Sequence, residues 1–132
     1  MVDPGRNLTM TKQTLSRWFT TEEVGGVLVV RFVRASIRDD EVVDEVRQQL
    51  YEMVGQGHRL FVLNLGQVTA LASRALGVLV GLHKRLGAVG GQLVLCEVSP
   101  FLYQFFETAN LPGLLCFRGG EQEAVQALTP PT

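Results

Sequence analysis

The sequence has few of the residues from which metal and redox sites are built. Among 132 residues there are two cysteines and two histidines. Cys96 and Cys116 lie in the apolar runs LVLCEV and LLCFRG, without the C-x-x-C spacing of metal or redox sites. His58 and His83 have no acidic or thiol residues spaced around them as further ligands. We therefore expect buried, reduced cysteines, no metal site and no cofactor.

The chain also lacks an excess of charge and any long apolar segment. It has 12 Lys and Arg against 13 Asp and Glu, which gives a formal net charge of −1. Nucleic-acid-binding proteins usually carry a basic excess, so this class is disfavoured. No apolar run reaches the roughly 20 residues of a membrane span, and none opens the chain as in a signal peptide. The composition predicts a cytoplasmic protein without a membrane span.

Motifs of common enzyme classes are missing as well. Glycine pairs occur at 25–26, 90–91 and 119–120, but none belongs to a G-x-G-x-x-G motif or to a phosphate-binding loop ending in Lys-Ser/Thr. The carboxylates are spread mainly over predicted helical faces, and no nucleophile–base–acid set is visible. We predict no catalytic residues and a non-enzymatic function.

What the sequence does contain is a regular alternation of short apolar runs and amphipathic segments. Two strands flank the turn at Gly25-Gly26, and apolar runs such as RLFVLNL and QLVLCEV then alternate with helical patterns. The predicted order, β-β-α-β-α-β-α-β-α, indicates an α/β fold: a mixed, mostly parallel central sheet of about five strands with flanking helices. We expect residues 15–128 to form a single domain between disordered segments at 1–14 and 129–132.

The helix predicted from Ser73 to about Leu86 has two different faces. Its apolar arc is formed by Ala75, Val78, Leu79, Leu82 and Leu86. The other face, called here the basic strip, is formed by Arg74, Gly77, Gly81, Lys84, Arg85 and Ala88. Each interior glycine costs about 1 kcal/mol relative to alanine, so a compensating role is expected. Either the strip is a flat docking surface for a partner, or its glycines let a neighbouring helix of the same domain pack closely.

Ser73 lies between the turn-like run 69–73 and this helix. We predict that its hydroxyl caps the helix by accepting a hydrogen bond from a first-turn N–H, which is worth about 1 kcal/mol over alanine. The free N–H groups and the dipole of a helix N-terminus also favour an anion, so a phosphate would be tolerated there. Ser73 is therefore the candidate phosphoacceptor as well as the predicted cap.

The order and spacing of three stretches resemble the STAS domains, typified by bacterial anti-sigma factor antagonists. The stretches are LFVLNLGQVTALASRALGVLVGLHKRL, GGQLVLCEVSPFLYQFFETANL and LLCFRGGEQEAVQAL, and the resemblance covers about residues 16–128. It implies the fold predicted above and a role in signal transduction. Typical members bind a GHKL-type serine kinase or another anti-sigma factor, and phosphorylation at the start of the second helix breaks that binding. The partner-binding residues implied here are Thr69, Ala72, Ser73, Arg74, Gly77, Gly81 and Lys84.

Two stretches depart from the family's pattern. The strand end that commonly reads Leu-Asp-Leu-Ser is LNLG here, so Asn64 replaces the acid. The motif Asp-Ser-Ser/Thr-Gly-Leu-Gly aligns with the run from Ala72 to Gly77. This alignment places Arg74 at the hydroxyl that is most often phosphorylated, and Ser73 at the serine used by related stress-complex scaffold members. We expect binding through the second helix and its preceding loop, with phosphorylation control either carried by Ser73 or lost.

Other functions remain open at the level of sequence. The chain could be a structural subunit of a larger assembly, such as a signalling scaffold or the STAS component of a lipid-transport complex. It could also bind a small ligand, because some relatives of this kind bind nucleotides. A homodimer is compatible with each of these functions.

Overall fold

The computed structural model describes residues 16–129. Of the segments that we predicted to be disordered, 1–14 and 130–132 lie outside the described residues, whereas Thr129 is described. Strands and helices follow in the order β1 (Phe19–Val24), β2 (Val27–Phe32), β3 (Ser36–Ile37), α1 (Asp40–Gly55), β4 (Leu60–Asn64), β5 (Ala70–Leu71), α2 (Ser73–Ala88), β6 (Gln92–Cys96), α3 (Pro100–Thr108), β7 (Cys116–Arg118) and α4 (Glu121–Leu128).

The central sheet has five strands in the order β1-β2-β4-β6-β7. β1 pairs antiparallel with β2, and the other neighbours are parallel. The hairpin turns at Gly25 and Gly26, whose φ angles of +58° and +84° lie in the left-handed region that glycine adopts without strain. The predicted mixed, mostly parallel sheet of five strands with flanking helices is confirmed.

The helices cover the two faces of the sheet unequally. Along β4, Phe61 and Leu63 join the large core cluster, which also holds the buried side chains of α1, α2 and α3. Val62 points to the other face and packs in a smaller cluster with Ala124 and Leu128 of α4. Because both faces of β4 are buried, its sequence is a nearly continuous apolar run.

The helical periodicity of the sequence agrees with the observed packing. Helix α1 buries Val43, Val46, Leu50 and Met53. Helix α2 buries the whole predicted apolar arc together with Leu76. At the start of α3, the Ser99 hydroxyl accepts a hydrogen bond from the Leu102 N–H at 3.1 Å, and Pro100 occupies the first turn. None of the helices between residues 16 and 129 is long and apolar enough to cross a membrane.

The two cysteines differ in their surroundings. Cys96 is completely buried, and this burial raises the pKa of its thiol to about 12. Cys116 is only half-buried, and its sulfur lies 3.1 Å from Nη1 of Arg118. Both thiols are free. The predicted burial is therefore confirmed for Cys96 and only in part for Cys116.

Candidate partner-binding surface

The segment that leads into α2 is tied to the segment that leads into α1. β3 and β5 pair in parallel, with Ser36 opposite Ala70 and Ile37 opposite Leu71. The Thr69 N–H and hydroxyl both donate to the Ala35 carbonyl, at 2.8 and 3.2 Å. These backbone contacts fix where α2 begins. Strands of two residues carry no periodicity, so this small sheet was not predicted.

The start of α2 differs from the prediction by one residue. The N-cap is Ala72, which has φ −77° and ψ 156° and no side chain that could cap. Its N–H donates to the Ile37 carbonyl at 3.0 Å, so the small sheet holds it in an extended conformation. Ser73 is therefore the first helical residue and is exposed. The prediction that the Ser73 hydroxyl caps this helix is wrong.

Arg74, the next residue, is directed towards α1. Its Nη1 lies 3.0 Å from Oδ1 of Asp40, and its Nη2 lies 2.7 Å from Oδ1 of Asp44. The hydrogen bond to Asp44, followed by that to Asp40, raises the pKa of the guanidinium. Arg74, which the resemblance aligns with the family's usual phosphoacceptor, thus links the first turns of two neighbouring helices.

The two glycines of the basic strip have different surroundings. A Cβ at position 81 would collide with the Tyr51 hydroxyl and lie 3.2 Å from Cζ of that ring. The hydroxyl donates to the Val78 carbonyl at 3.2 Å, and the Arg85 guanidinium lies 4.3 Å from the ring centroid. A Cβ at Gly77 would meet nothing within 4 Å. Close packing of a neighbouring helix accounts for Gly81, whereas Gly77 is open to solvent.

The basic strip is therefore not one surface. Arg74, Gly81 and Arg85 contact α1. Arg74 and Arg85 stay exposed as well, as does Ala88. Ser73 beside the strip, and Gly77 and Lys84 within it, are also exposed. We call these three residues, together with the exposed Thr69 and the half-buried Ala72 of the preceding loop, the α2 face.

Asn64 lies at the carboxyl end of β4 in a hydrogen-bonded group with residues distant in sequence. Its Nδ2 donates to Oε2 of Glu121 at 2.8 Å, and its Oδ1 accepts from the Gly66 N–H at 2.8 Å. Arg31 donates to both carboxylate oxygens of Glu121, at 2.8 and 2.7 Å. Arg31, followed by Asn64, lowers the pKa of the Glu121 carboxyl against the opposing effect of burial.

Sequence reasoning missed Arg31 and Glu121, because they are 90 positions apart and meet only across the folded sheet. The one available signal was Asn64, which the resemblance aligns with a position where the family commonly has an acid. Another acid there would face Glu121, whereas an amide can donate to it.

The family model of the STAS domain matches residues 19–124 of this chain. The chain belongs to the STAS domain family.

The relatives and the fold of this STAS domain agree with that assignment. The anti-sigma F factor antagonist of Paenibacillus polymyxa is 28% identical over 104 residues, which cover 78% of this chain and 87% of that protein. BtrV of Bordetella bronchiseptica is 26% identical over 108 residues, which cover 82% and 91%. The unphosphorylated anti-sigma factor antagonist SpoIIAA shares the fold with a TM-score of 0.67 at 23% identity, over 86% of this chain and 99% of that one. Phosphorylated SpoIIAA from Bacillus gives a TM-score of 0.64 at 22% identity, over 83% and 97%. The protein is an anti-sigma factor antagonist-like STAS domain.

Proposed function

We propose that this STAS domain is a non-enzymatic interaction module that binds an anti-sigma factor or a GHKL-type serine kinase through the α2 face. The observation that carries the proposal is the open space around Gly77. This glycine lies in a helix interior, is exposed, and has open space where a Cβ would be. A glycine there costs about 1 kcal/mol relative to alanine and has no packing role within the domain. Close approach of a partner's backbone accounts for its presence.

The surroundings of Gly77 suit a protein partner. Ser73 and Lys84 flank it on the same exposed side of α2, and Thr69 extends that side into the preceding loop. The Arg74 charge is offset by Asp40 and Asp44, so Lys84 is the cation left on the α2 face. The named function of the Paenibacillus polymyxa relative, an anti-sigma F factor antagonist, supports an anti-sigma factor as the partner.

The proposal is tested by Gly77→Arg, which places a long side chain on the open face. We expect the affinity for the anti-sigma factor or serine kinase of the source organism to fall at least about tenfold, since a buried steric obstruction removes several contacts at once. Titration calorimetry measures the affinity, and a thermal melt shows that the variant folds.

Gly87→Arg is the matched control for this substitution. Gly87 is also exposed and open in the same helix, but it lies near the opposite end. Its substitution should leave the affinity within about twofold of the native value. Native affinity in a folded Gly77→Arg variant would refute binding through the α2 face.

Ser73 is the residue through which we propose that this binding is regulated. Its hydroxyl is exposed on the first residue of a helix of 16 residues, where a phosphate would be stabilised by free N–H groups and the dipole. The phosphate would add about −1.5 to −2 charges to the centre of the α2 face. Domain stability would change little, whereas a docked partner would face a new, hydrated charge.

Mass spectrometry of protein purified from its own source tests this regulation. We expect phosphate on Ser73 and its loss in Ser73→Ala, with Thr69→Ala as a control that retains the modification. If Ser73 carries no phosphate in any growth condition, the module binds its partner constitutively and the regulatory part of the proposal is wrong.

A further inference from the structure

An open groove of about 360 Å³ lies beside the α2 face, between the preceding loop and α3. One wall comes from the paired segments β3 and β5, and the other from the exposed side of α3. Its lining includes Arg38, Thr69, Leu71, Phe101, Gln104 and Phe105. Thr69 belongs to both surfaces, so the groove continues the α2 face.

Phe101 is the most exposed large hydrophobic side chain between residues 16 and 129, at 76%. The amphipathic pattern of α3 does not need an aromatic residue there, because Leu102 and Phe106 already fill the core side. Leu71 and Phe105, both half-buried, extend the apolar surface along the groove. One exposed aromatic ring beside two half-buried apolar side chains offers a partner a small apolar contact.

Among the described residues that line the groove, Arg38 is the only charged one. It directly follows β3, whose last residue, Ile37, accepts a hydrogen bond from the Ala72 N–H just before α2. Arg31 and Arg74 are engaged by carboxylates, whereas Arg38 makes no hydrogen bond or ion pair within the described part of the chain. The groove thus combines an apolar wall with one guanidinium that forms no ion pair among the described residues, although the exposed acids Asp39, Asp40 and Glu41 follow it in sequence.

We propose that this groove receives an acidic segment of the bound regulatory protein, which places an apolar side chain against Phe101 and a carboxylate against Arg38. The partner's identity in this inference rests on the proposed function. The complementary surface is apolar with negative charge, because the groove offers aromatic carbon and a cation but no carboxylate. A buried aromatic contact surrounded by polar contacts that exclude water is the usual energetic centre of a protein interface.

Two substitutions test this docking in the full chain with the purified partner. Phe101→Ala and Arg38→Glu should each lower the affinity about tenfold or more, as loss of an interface centre does. The controls are Val89→Ala, an apolar residue 45% exposed at the far end of α2, and Arg59→Glu, an exposed arginine just before β4. Both controls should stay within about twofold of native affinity. If Phe101→Ala binds like Val89→Ala, the groove is not part of the interface.

A peptide titration separates this inference from the proposed function. The ¹⁵N-labelled chain is titrated with a blocked hexapeptide of two leucines flanked by aspartates, and with its counterpart flanked by lysines. The aspartate peptide should shift the amide signals of residues 69–71 and 101–105 in the native chain but not in Phe101→Ala. Equal shifts with the lysine peptide, or none with either at millimolar concentration, would overturn the groove's assignment. These results do not depend on Gly77→Arg, so each proposal can fail alone.

Light scattering tests the other possible occupant of the groove, which is a second copy of this chain. If the chain self-associates with rising concentration and Phe101→Ala abolishes that association, the groove is a homodimer contact and the proposed occupant is wrong. A chain that stays monomeric while the aspartate peptide binds supports the acidic partner segment.

Discussion

At the scale of single residues, the two departures from the family's usual pattern are each held by acidic side chains. Arg74 is held by Asp40 and Asp44. Asn64 donates to Glu121, which also takes a bidentate pair from Arg31. The strongest of these contacts are charge-assisted and geometrically specific. Both departures therefore belong to well-formed local structures.

Asn64→Asp tests whether the amide is required by its neighbour. The substitution removes a donor and places a carboxylate beside that of Glu121, so we expect a loss of about 1–2 kcal/mol at neutral pH. We expect repulsion from Glu121, whose charge already engages Arg31, to raise the pKa of the new carboxyl in the folded state above its unfolded value, against the opposing attraction of Arg31. A raised folded pKa favours folding only where the group is protonated, so the deficit should shrink as the pH falls through that folded pKa. Urea unfolding of the native chain and of Asn64→Asp, at neutral and acidic pH, measures this deficit in the free energy of unfolding.

Asn64→Ala is the uncharged control for this prediction. It removes the same hydrogen bonds without adding a carboxylate, so its deficit relative to the native chain should not change with pH in the same way. A deficit of Asn64→Asp that is equal at both pH values would show that charge repulsion with Glu121 does not explain the asparagine.

At the scale of elements, α2 buries one apolar face in the core, and the sides of the helix next to that face have different surroundings. The side with Gly81 is closed by the Tyr51 ring of α1, and the side with Gly77 is open. The same residue type thus serves helix packing at one position and, in our proposal, partner access at another.

Alanine at each glycine separates these roles by the sign of the stability change. Gly77→Ala should stabilise the domain by about 0.5–1 kcal/mol, because alanine is the better helix former and nothing obstructs its Cβ. Gly81→Ala should give no net gain or a loss, because its Cβ displaces the Tyr51 hydroxyl from the Val78 carbonyl. Thermal and urea unfolding measure both. Equal stabilisation by the two variants would contradict the assigned packing role of Gly81.

The elements themselves were largely predictable from the sequence, since each buries a regular set of apolar residues. Val43, Val46 and Leu50 recur at helical spacing, and the run containing Phe61 is apolar enough for a strand buried on both sides. The helix boundary at Ser73 was missed because a tertiary contact sets it. The hydrogen bond from the Ala72 N–H to the Ile37 carbonyl keeps Ala72 extended. A cap propensity is weaker than such a backbone constraint.

At the scale of the whole molecule, three helices lie on one face of the sheet and α4 covers the other. The α2 face and the groove beside Phe101 both lie near the start of α2, next to the small sheet that joins the two loops. Sequence periodicity locates the helix but not this neighbourhood. Arg38 and Phe101 are 63 positions apart, and only the folded chain places them in one groove.

The central claim is that this domain binds a regulatory partner through the α2 face. Size-exclusion chromatography with light scattering, on the chain alone and mixed with the anti-sigma factor or kinase, tests it most directly. We predict that the 14.5 kDa chain shifts into a complex with the partner, and that Gly77→Arg forms this complex only at concentrations about tenfold higher or more. A large assembly of the chain alone that takes up no partner would contradict the claim and favour a structural subunit.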